Sequence, residues 1–235
     1  MRVGYGDGAV APADGGAMTG EGAGPRARWF RLDLRWRVVS VGVALAALVV
    51  VLDRLTSVLG GGEVLDAGGE QNLVTWLTSM SFAAAAAAAF TAASLGEGRP
   101  LAWFSIAAFA GLLSLDEIAM LHERTEKELG GQVIVDYLEP VIAIVALALG
   151  VYAARVVTAR ERVMLLCAIS TLAAAVFVGA ANSDSISTFI ANGLSVLEEA
   201  LELMVPFFIL AAALPAVVVG LRRRYAGRPN GQPRT

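Results

Sequence analysis

Six apolar segments dominate the chain and constrain what it can fold into. A helix that crosses about 30 Å of hydrocarbon needs about 20 mostly apolar residues. Only 17% of the 235 residues are charged, whereas soluble domains carry about a quarter. The sequence therefore predicts an all-α fold, a polytopic membrane helix bundle with six transmembrane helices. The predicted spans are residues 38–58, 73–95, 101–121, 139–158, 163–182 and 195–220.

Two polar tails flank the predicted bundle of residues 29–222. Residues 1–28 are rich in Gly and Ala and lack the apolar core of a signal peptide, so we expect a disordered cytoplasmic tail. Met18 is an alternative start within it. Residues 223–235 form a basic tail that we also expect in the cytoplasm. The stretch "RARWFRLDLRWR" before the first span is typical of an interfacial anchor, and no nucleic-acid partner is predicted.

The basic residues predict the topology. Lys and Arg close to the ends of spans stay on the cytoplasmic side. With six spans, 15 of the 18 basic residues fall on the side of the two termini, and only Arg54, Arg124 and Lys127 fall on the other. We therefore expect a multi-pass protein of the inner (plasma) membrane with both termini in the cytoplasm.

Acidic residues collect at the outer end of the predicted third span. The segment "LSLDEIAMLHERTEKEL" places Asp116 and Glu117 after only 15 apolar residues, about 22 Å of helix. Both acids are therefore expected several Å below the membrane boundary. His122, the only histidine, and Glu123 are expected near that boundary. Ionisable groups at such depth are costly and are functional candidates.

A second acidic cluster opens the sixth span, in the segment "LSVLEEALELMVPFF". Glu198, Glu199 and Glu202 fall within an arc of about 100° on a helix. The topology puts this cluster at the same depth and on the same side as Asp116 and Glu117. Whether the two clusters meet depends on the order of helices in the bundle, which the sequence does not state.

Carboxylates that share a poorly solvated site take up protons, recruit basic partners or bind a cation. Basic residues are scarce on this side, and carboxylates with one imidazole suit iron, manganese or zinc. The ferritin-like di-iron pattern is not met, because there is a single His. A structural alternative stays open: Glu123 and Lys127 have i,i+4 helical spacing, and Glu198 and Glu199 would be favourable in the first turns of a helix.

These residues give the chain a resemblance to bacterial polytopic membrane proteins of uncharacterised function. Those proteins have Asp-Glu-x4-His-Glu at the end of one span and Glu-Glu-x2-Glu at the start of a later one. The resemblance covers about the second half of the chain and implies no activity. A partial similarity to iron permeases, which use Arg-Glu-x-x-Glu, stops at Glu198, which occupies the Arg position. The matching residues are Asp116, Glu117, His122, Glu123, Glu198, Glu199 and Glu202.

The leading hypothesis is a divalent-metal-dependent enzyme that acts on a lipid or another membrane-resident substrate. Glu117 or Glu198 would be the general base. A proton- or cation-coupled transporter and a non-catalytic membrane subunit remain alternatives, and the oligomeric state is open. An enzyme predicts a site closed toward the cytoplasm, whereas a transporter predicts polar groups that continue down the bundle. The predicted metal ligands are Asp116, His122, Glu123, Glu199 and Glu202.

Overall fold

The computed structural model describes residues 25–59, 73–96, 98–119, 139–181 and 188–226. Within these ranges the secondary structure consists of helices and their connecting turns, with no strand. This confirms the predicted all-α class. The helices are α1 (Pro25–Leu59), α2 (Leu73–Ser94), α3 (Pro100–Ala119), α4 (Glu139–Val156), α5 (Ala159–Ala181) and α6 (Thr188–Ala226).

Four of the helices are long and apolar enough to cross a membrane. These stretches are Leu34–Leu55 in α1, Leu73–Ser94 in α2, Ala159–Gly179 in α5 and Gly193–Ala226 in α6. Helix α3 has a shorter apolar stretch, Pro100–Leu115, because Asp116 and Glu117 follow directly. The chain is therefore a helical membrane protein, as its composition predicts.

Helix α6 is the central element of the bundle. It packs against α1, α2 and α5, while α2 also packs against α3, and α4 joins α3 to α5. Helices α2 to α6 thus form a ring, with α1 outside it against α6. Burial follows this order, since 67% of the apolar window of α6 is buried but only 17% of that of α1. The central position of α6 explains how its acids can face several helices.

Alanine allows α2 to pack closely against its neighbours. Ala85, Ala89 and Ala92 are completely buried, and Ala93 almost so. Small residues at helix interfaces let backbones approach, which increases van der Waals contact where no hydrophobic effect drives helices together in lipid. The opposite face of α2 carries exposed large side chains such as Trp76, Met80 and Phe90, as expected of a surface that meets lipid.

Charged residues lie at opposite ends of the bundle. We call the end that holds the acids of α3 and α6 the acidic end, and the other the basic end. Helix α1 runs antiparallel to α6, because a Cβ at Gly193 would lie 3.5 Å from the Arg54 guanidinium and a Cβ at Gly42 would meet Phe207. The acidic end holds Glu117, Glu198, Glu199 and Glu202, and the basic end holds Arg35, Arg99, Arg155, Arg160, Arg162, Arg222, Arg223 and Arg224.

Candidate functional site

The acids of α6 point toward two different neighbours. Glu198 packs against α5, since a Cβ at Gly179 would lie 2.8 Å from its Cδ and would overlap its carboxylate oxygen. The side of α6 that carries Val196 and Leu203 packs instead against Val74 of α2. Helical geometry puts Glu199 within about 60° of Val196 and Leu203. Glu199 therefore lies on the α2 side of Glu198, toward the interior of the ring.

Glu117 of α3 interacts electrostatically with this part of α6. Among the described residues, the charged groups that interact electrostatically with Glu199 are Glu202, Glu117 and Glu198. Glu117, Glu199 and Glu202 are all partly buried. The two acid clusters of the sequence are therefore linked electrostatically through Glu117 and Glu199.

A layer of hydroxyl groups lies next to these acids. Ser79 Oγ donates a hydrogen bond to the Ser114 carbonyl at 2.8 Å, and Ser114 Oγ donates to the Ser79 carbonyl at 2.9 Å. These reciprocal bonds join α2 to α3. Glu117 is three residues beyond Ser114, so it lies about 4.5 Å farther along α3. The hydroxyl pair therefore fixes α3, and with it Glu117, against α2.

Thr78 provides a buried hydroxyl that forms no hydrogen bond within the described residues. Its side chain is completely buried, and its Oγ1 has no hydrogen-bond partner among the described residues. A buried hydroxyl left unpaired costs about 1–3 kcal/mol, so such a group calls for an explanation. Thr78 is adjacent to Ser79 and therefore lies at the depth of the hydroxyl layer, within about 1.5 Å along α2.

Apolar side chains close the ring beneath this layer. Phe82, Trp103, Ile106, Val205 and Ile209 belong to one buried cluster that fills the bundle toward the basic end. In the described part of the chain, buried polar side chains on the way from Thr78 toward Arg35 stop at Ser81. Ser105, a polar residue near the start of α3, donates back to the Leu101 carbonyl of its own helix at 2.9 Å. The described core beneath the hydroxyl layer is therefore mainly apolar.

Only some of the predicted site residues have side chains within the described set. These are Glu117, Glu198, Glu199 and Glu202, and Glu199 interacts electrostatically with the other three. Asp116 lies in α3, and its side chain is outside the described set, while His122 and Glu123 lie outside the described residues altogether. Within the described ranges no group of three or more His, Cys, Asp or Glu side chains is placed to hold a metal ion. The metal ligand set therefore stays a prediction.

Three residues of this region were not expected from the sequence. Gly179 makes room for Glu198, and Thr78 and Ser79 supply the hydroxyl layer together with Ser114. The run "LTSMS" at residues 77–81 is a signal that could have indicated the hydroxyls, because hydroxyl side chains recur there within an otherwise apolar span. Nothing in the sequence distinguishes Gly179 from glycines that only favour helix packing.

Apolar helices around partly buried glutamates define a polytopic helical membrane protein with an acidic site at one end of the bundle. The chain belongs to the family described as domain of unknown function (DUF8692), whose family model matches residues 41–217. The match runs from α1 to α6 and includes the acids of α3 and α6. No curated protein and no solved structure matches the chain.

Proposed function

We propose that the chain crosses the inner (plasma) membrane six times, with both termini and the basic end in the cytoplasm. The positive-inside rule supports this orientation, because the basic end holds Arg35 of α1 and the arginines of α5 and α6, whereas Arg54 of α1 lies at the acidic end. Six passes would make α3 and α4 the two spans beyond the four established by length and hydropathy. An even number of passes puts both basic tails on the same side.

The acidic end would be the functional end. We propose that it binds a divalent cation and that the protein is a metal-dependent enzyme acting on a lipid or another membrane-resident substrate. The observation that carries this proposal is the electrostatic interaction of Glu117 with Glu199 at one end of a buried apolar cluster. Carboxylates gathered in a poorly solvated place need a cation or protons to balance their charge, and a core without a polar path favours a site over a channel.

The position of each residue indicates the role that we assign to it. Glu199 and Glu202, in the ring interior, would be ligands, with Asp116, His122 and Glu123 arriving from α3 and the segment after it. A bound divalent cation would supply Lewis-acid activation of a substrate oxygen. Glu117 or Glu198 would accept a proton as general base. Because the site is expected near the outer membrane boundary, a lipid could present its headgroup region without leaving the bilayer.

A cation- or proton-coupled transporter is the second candidate. It is favoured by the electrostatic surroundings of Glu199, in which the interacting charged groups are all carboxylates, as in a site that exchanges protons. The apolar cluster beneath the site speaks against a continuous path. The same measurement distinguishes the two candidates, because only the first requires a resident metal.

The test is the metal content of protein purified without chelators and without a metal-affinity column, measured by mass spectrometry. We expect about one equivalent of a transition metal in the wild type, and loss of that metal in Glu199→Gln, Glu202→Gln and Asp116→Asn. Glu161→Gln is the matched control. It makes the same chemical change at the basic end, where Glu161 accepts a hydrogen bond from the Thr158 N–H at 2.9 Å, and a glutamine can serve equally in such a capping box.

A wild-type protein without metal would end the metalloenzyme proposal. Proton flux in liposomes would then test the acids as proton carriers. Equal metal loss in Glu161→Gln would show that the metal is bound non-specifically by surface carboxylates. Retention of metal in Glu199→Gln but not in Asp116→Asn would place the site on α3 and its following segment alone.

Gly179→Ala is expected to weaken cation binding without unfolding the protein. The new Cβ would overlap the Glu198 carboxylate, which is the flexible end of its side chain and can rotate away. We expect a change in stability below about 1 kcal/mol, because alanine also favours the helix by a similar amount. Gly111→Ala is the control, since its Cβ would lie 4.0 Å from that of Ala86, an ordinary contact. Equal cation affinity of both variants and wild type would contradict a role for Glu198.

A further inference from the structure

The basic end contains a pocket that the proposed function does not use. Its volume is about 270 Å³, close to the lower range of small-molecule sites, about 300 Å³. It is formed where the connection between α4 and α5, the start of α3 and the last turns of α6 meet α1. Three arginines from three different helices line it: Arg35 of α1, Arg160 of α5 and Arg223 of α6.

The charge of this pocket is strongly biased. Among the described residues that line it, Glu161 is the one acid, and its carboxylate is engaged in capping α5. The Thr158 N–H donates to Glu161 Oε2 at 2.9 Å, and the Glu161 N–H donates to Thr158 Oγ1 at 3.5 Å. This reciprocal pair is a capping box. It holds the carboxylate at the start of α5, so the pocket is lined by three arginine side chains and one engaged carboxylate.

One further feature favours an anion. The first turn of α5, a helix of 23 residues, lies at the pocket, and helix N-termini carry a partial positive charge that attracts anions. The pocket thus combines the side chains of three arginines with the N-terminal end of a helix.

The walls of the pocket suit an amphiphilic ligand. Trp103, only 1% exposed, forms the apolar side together with Val157, Pro215 and Ala216. The apolar run of α6 ends at Leu221, just before Arg223, so the arginines are at the depth where phospholipid phosphates lie. Basic pockets between transmembrane helices at this position are suited to anionic lipid headgroups.

We propose that this pocket binds a phosphate-bearing anion through Arg35, Arg160 and Arg223. The phosphate belongs either to the headgroup of an anionic phospholipid or to inorganic phosphate from the aqueous phase. Guanidinium groups bind phosphate oxygens through two parallel hydrogen bonds, so each arginine contributes geometry as well as charge. The pocket and the acidic site lie at opposite ends of the bundle, and this proposal does not depend on the proposed function.

The test uses the full chain, depleted of lipid by washing in detergent, and follows binding by native mass spectrometry and thermal unfolding. Three probes are compared: phosphatidylglycerol, zwitterionic phosphatidylcholine and inorganic phosphate. We expect phosphatidylglycerol to bind and to raise the unfolding temperature. Arg160→Gln and Arg223→Gln should each weaken this binding by about tenfold, the effect of losing one charge-assisted contact.

Arg222→Gln and Arg224→Gln are matched controls. Both residues are exposed neighbours of Arg223 and do not line the pocket, so binding should be retained. Competition by inorganic phosphate at low millimolar concentration would assign the site to soluble phosphate, and its absence would assign it to the lipid. Equal weakening in all four variants would reduce the effect to surface charge and overturn the proposal. Failure of both phosphatidylglycerol and inorganic phosphate to bind would also overturn it.

Discussion

Replacing Glu199 by glutamine is expected to stabilise the cation-free protein and to abolish its stabilisation by a divalent cation. In the native site the Glu199 carboxylate interacts with those of Glu117, Glu198 and Glu202. Like charges repel more strongly where water is partly excluded, and a charge without a counter-ion is costly to bury. At a pH where Glu199 is ionised, a neutral amide of the same shape removes both penalties, and we expect a gain of about 1–2 kcal/mol.

The cation should act in the opposite direction on the wild type. A ligand that binds only the folded state at 100 times its Kd stabilises it by about 2.7 kcal/mol. Thermal unfolding is measured for metal-stripped wild type and Glu199→Gln, each with and without manganese, iron(II) or zinc. The same experiment then gives the change in stability caused by the substitution and the stabilisation caused by the cation. The stripped variant should unfold at a higher temperature than the stripped wild type, and added metal should leave it unchanged.

Glu161→Gln serves again as control and should behave as the wild type in all conditions. A Glu199→Gln variant that is less stable than the stripped wild type would mean that Glu199 makes a favourable structural contact. The crowded acids would then be part of the scaffold. A cation response in the variant as large as that of the wild type would remove Glu199 from the binding site.

The part of the fold that follows from the sequence is the part that crossing a lipid bilayer determines. Apolar stretches of helical length fix the helices, and the predicted spans overlap α1 to α6. The sequence also places the acids of α3 and α6 at one end, because depth along a helix can be counted in residues. Distances along helices are therefore predictable even where distances between helices are not.

The electrostatic interaction between Glu117 and Glu199 could not be derived in this way. It depends on α2 standing beside both α3 and α6, and on Ser79 and Ser114 holding α2 and α3 in register through hydrogen bonds of 2.8 and 2.9 Å. Several arrangements of six apolar helices bury similar areas. Lipid tails are as apolar as the side chains of the helices, so burial alone does not favour one arrangement. Close contacts, such as that of Glu198 with Gly179, determine which arrangement of the helices forms. Such contacts produce no periodic pattern in the sequence.

The same reasoning applies to α1, which approaches α6 closely at Gly42. A Cβ at Gly42 would lie 2.6 Å from Phe207 Cγ and 2.8 Å from Phe207 Cβ. Those atoms form the base of the side chain and are held in a buried cluster with Val49, Val74 and Leu203. Gly42→Ala therefore forces α1 away from α6, and we expect it to cost about 1–3 kcal/mol, as overpacking does.

Two other glycines make this prediction specific. A Cβ at Gly150 would also lie 2.6 Å from a side chain, but the atom it meets is the terminal Cδ1 of Ile169, which can move. A Cβ at Gly111 would make only an ordinary contact with Ala86. Unfolding temperatures in detergent should therefore fall most for Gly42→Ala, less for Gly150→Ala and least for Gly111→Ala. Equal values for the three variants would show that α1 does not pack on α6 through Gly42.

A double-mutant cycle identifies Phe207 as the residue that Gly42 accommodates. Phe207→Ala alone should cost about 3–5 kcal/mol, because it empties part of a packed core. It also removes the ring and Cγ, so that only the contact of 2.8 Å with Cβ remains. The double variant should therefore lose about 1–2 kcal/mol less stability than the sum of the losses in the two single variants. Strict additivity would mean that the two positions do not touch. A double variant that loses less stability than this sum would show that glycine is needed at residue 42 because α1 and α6 approach each other there.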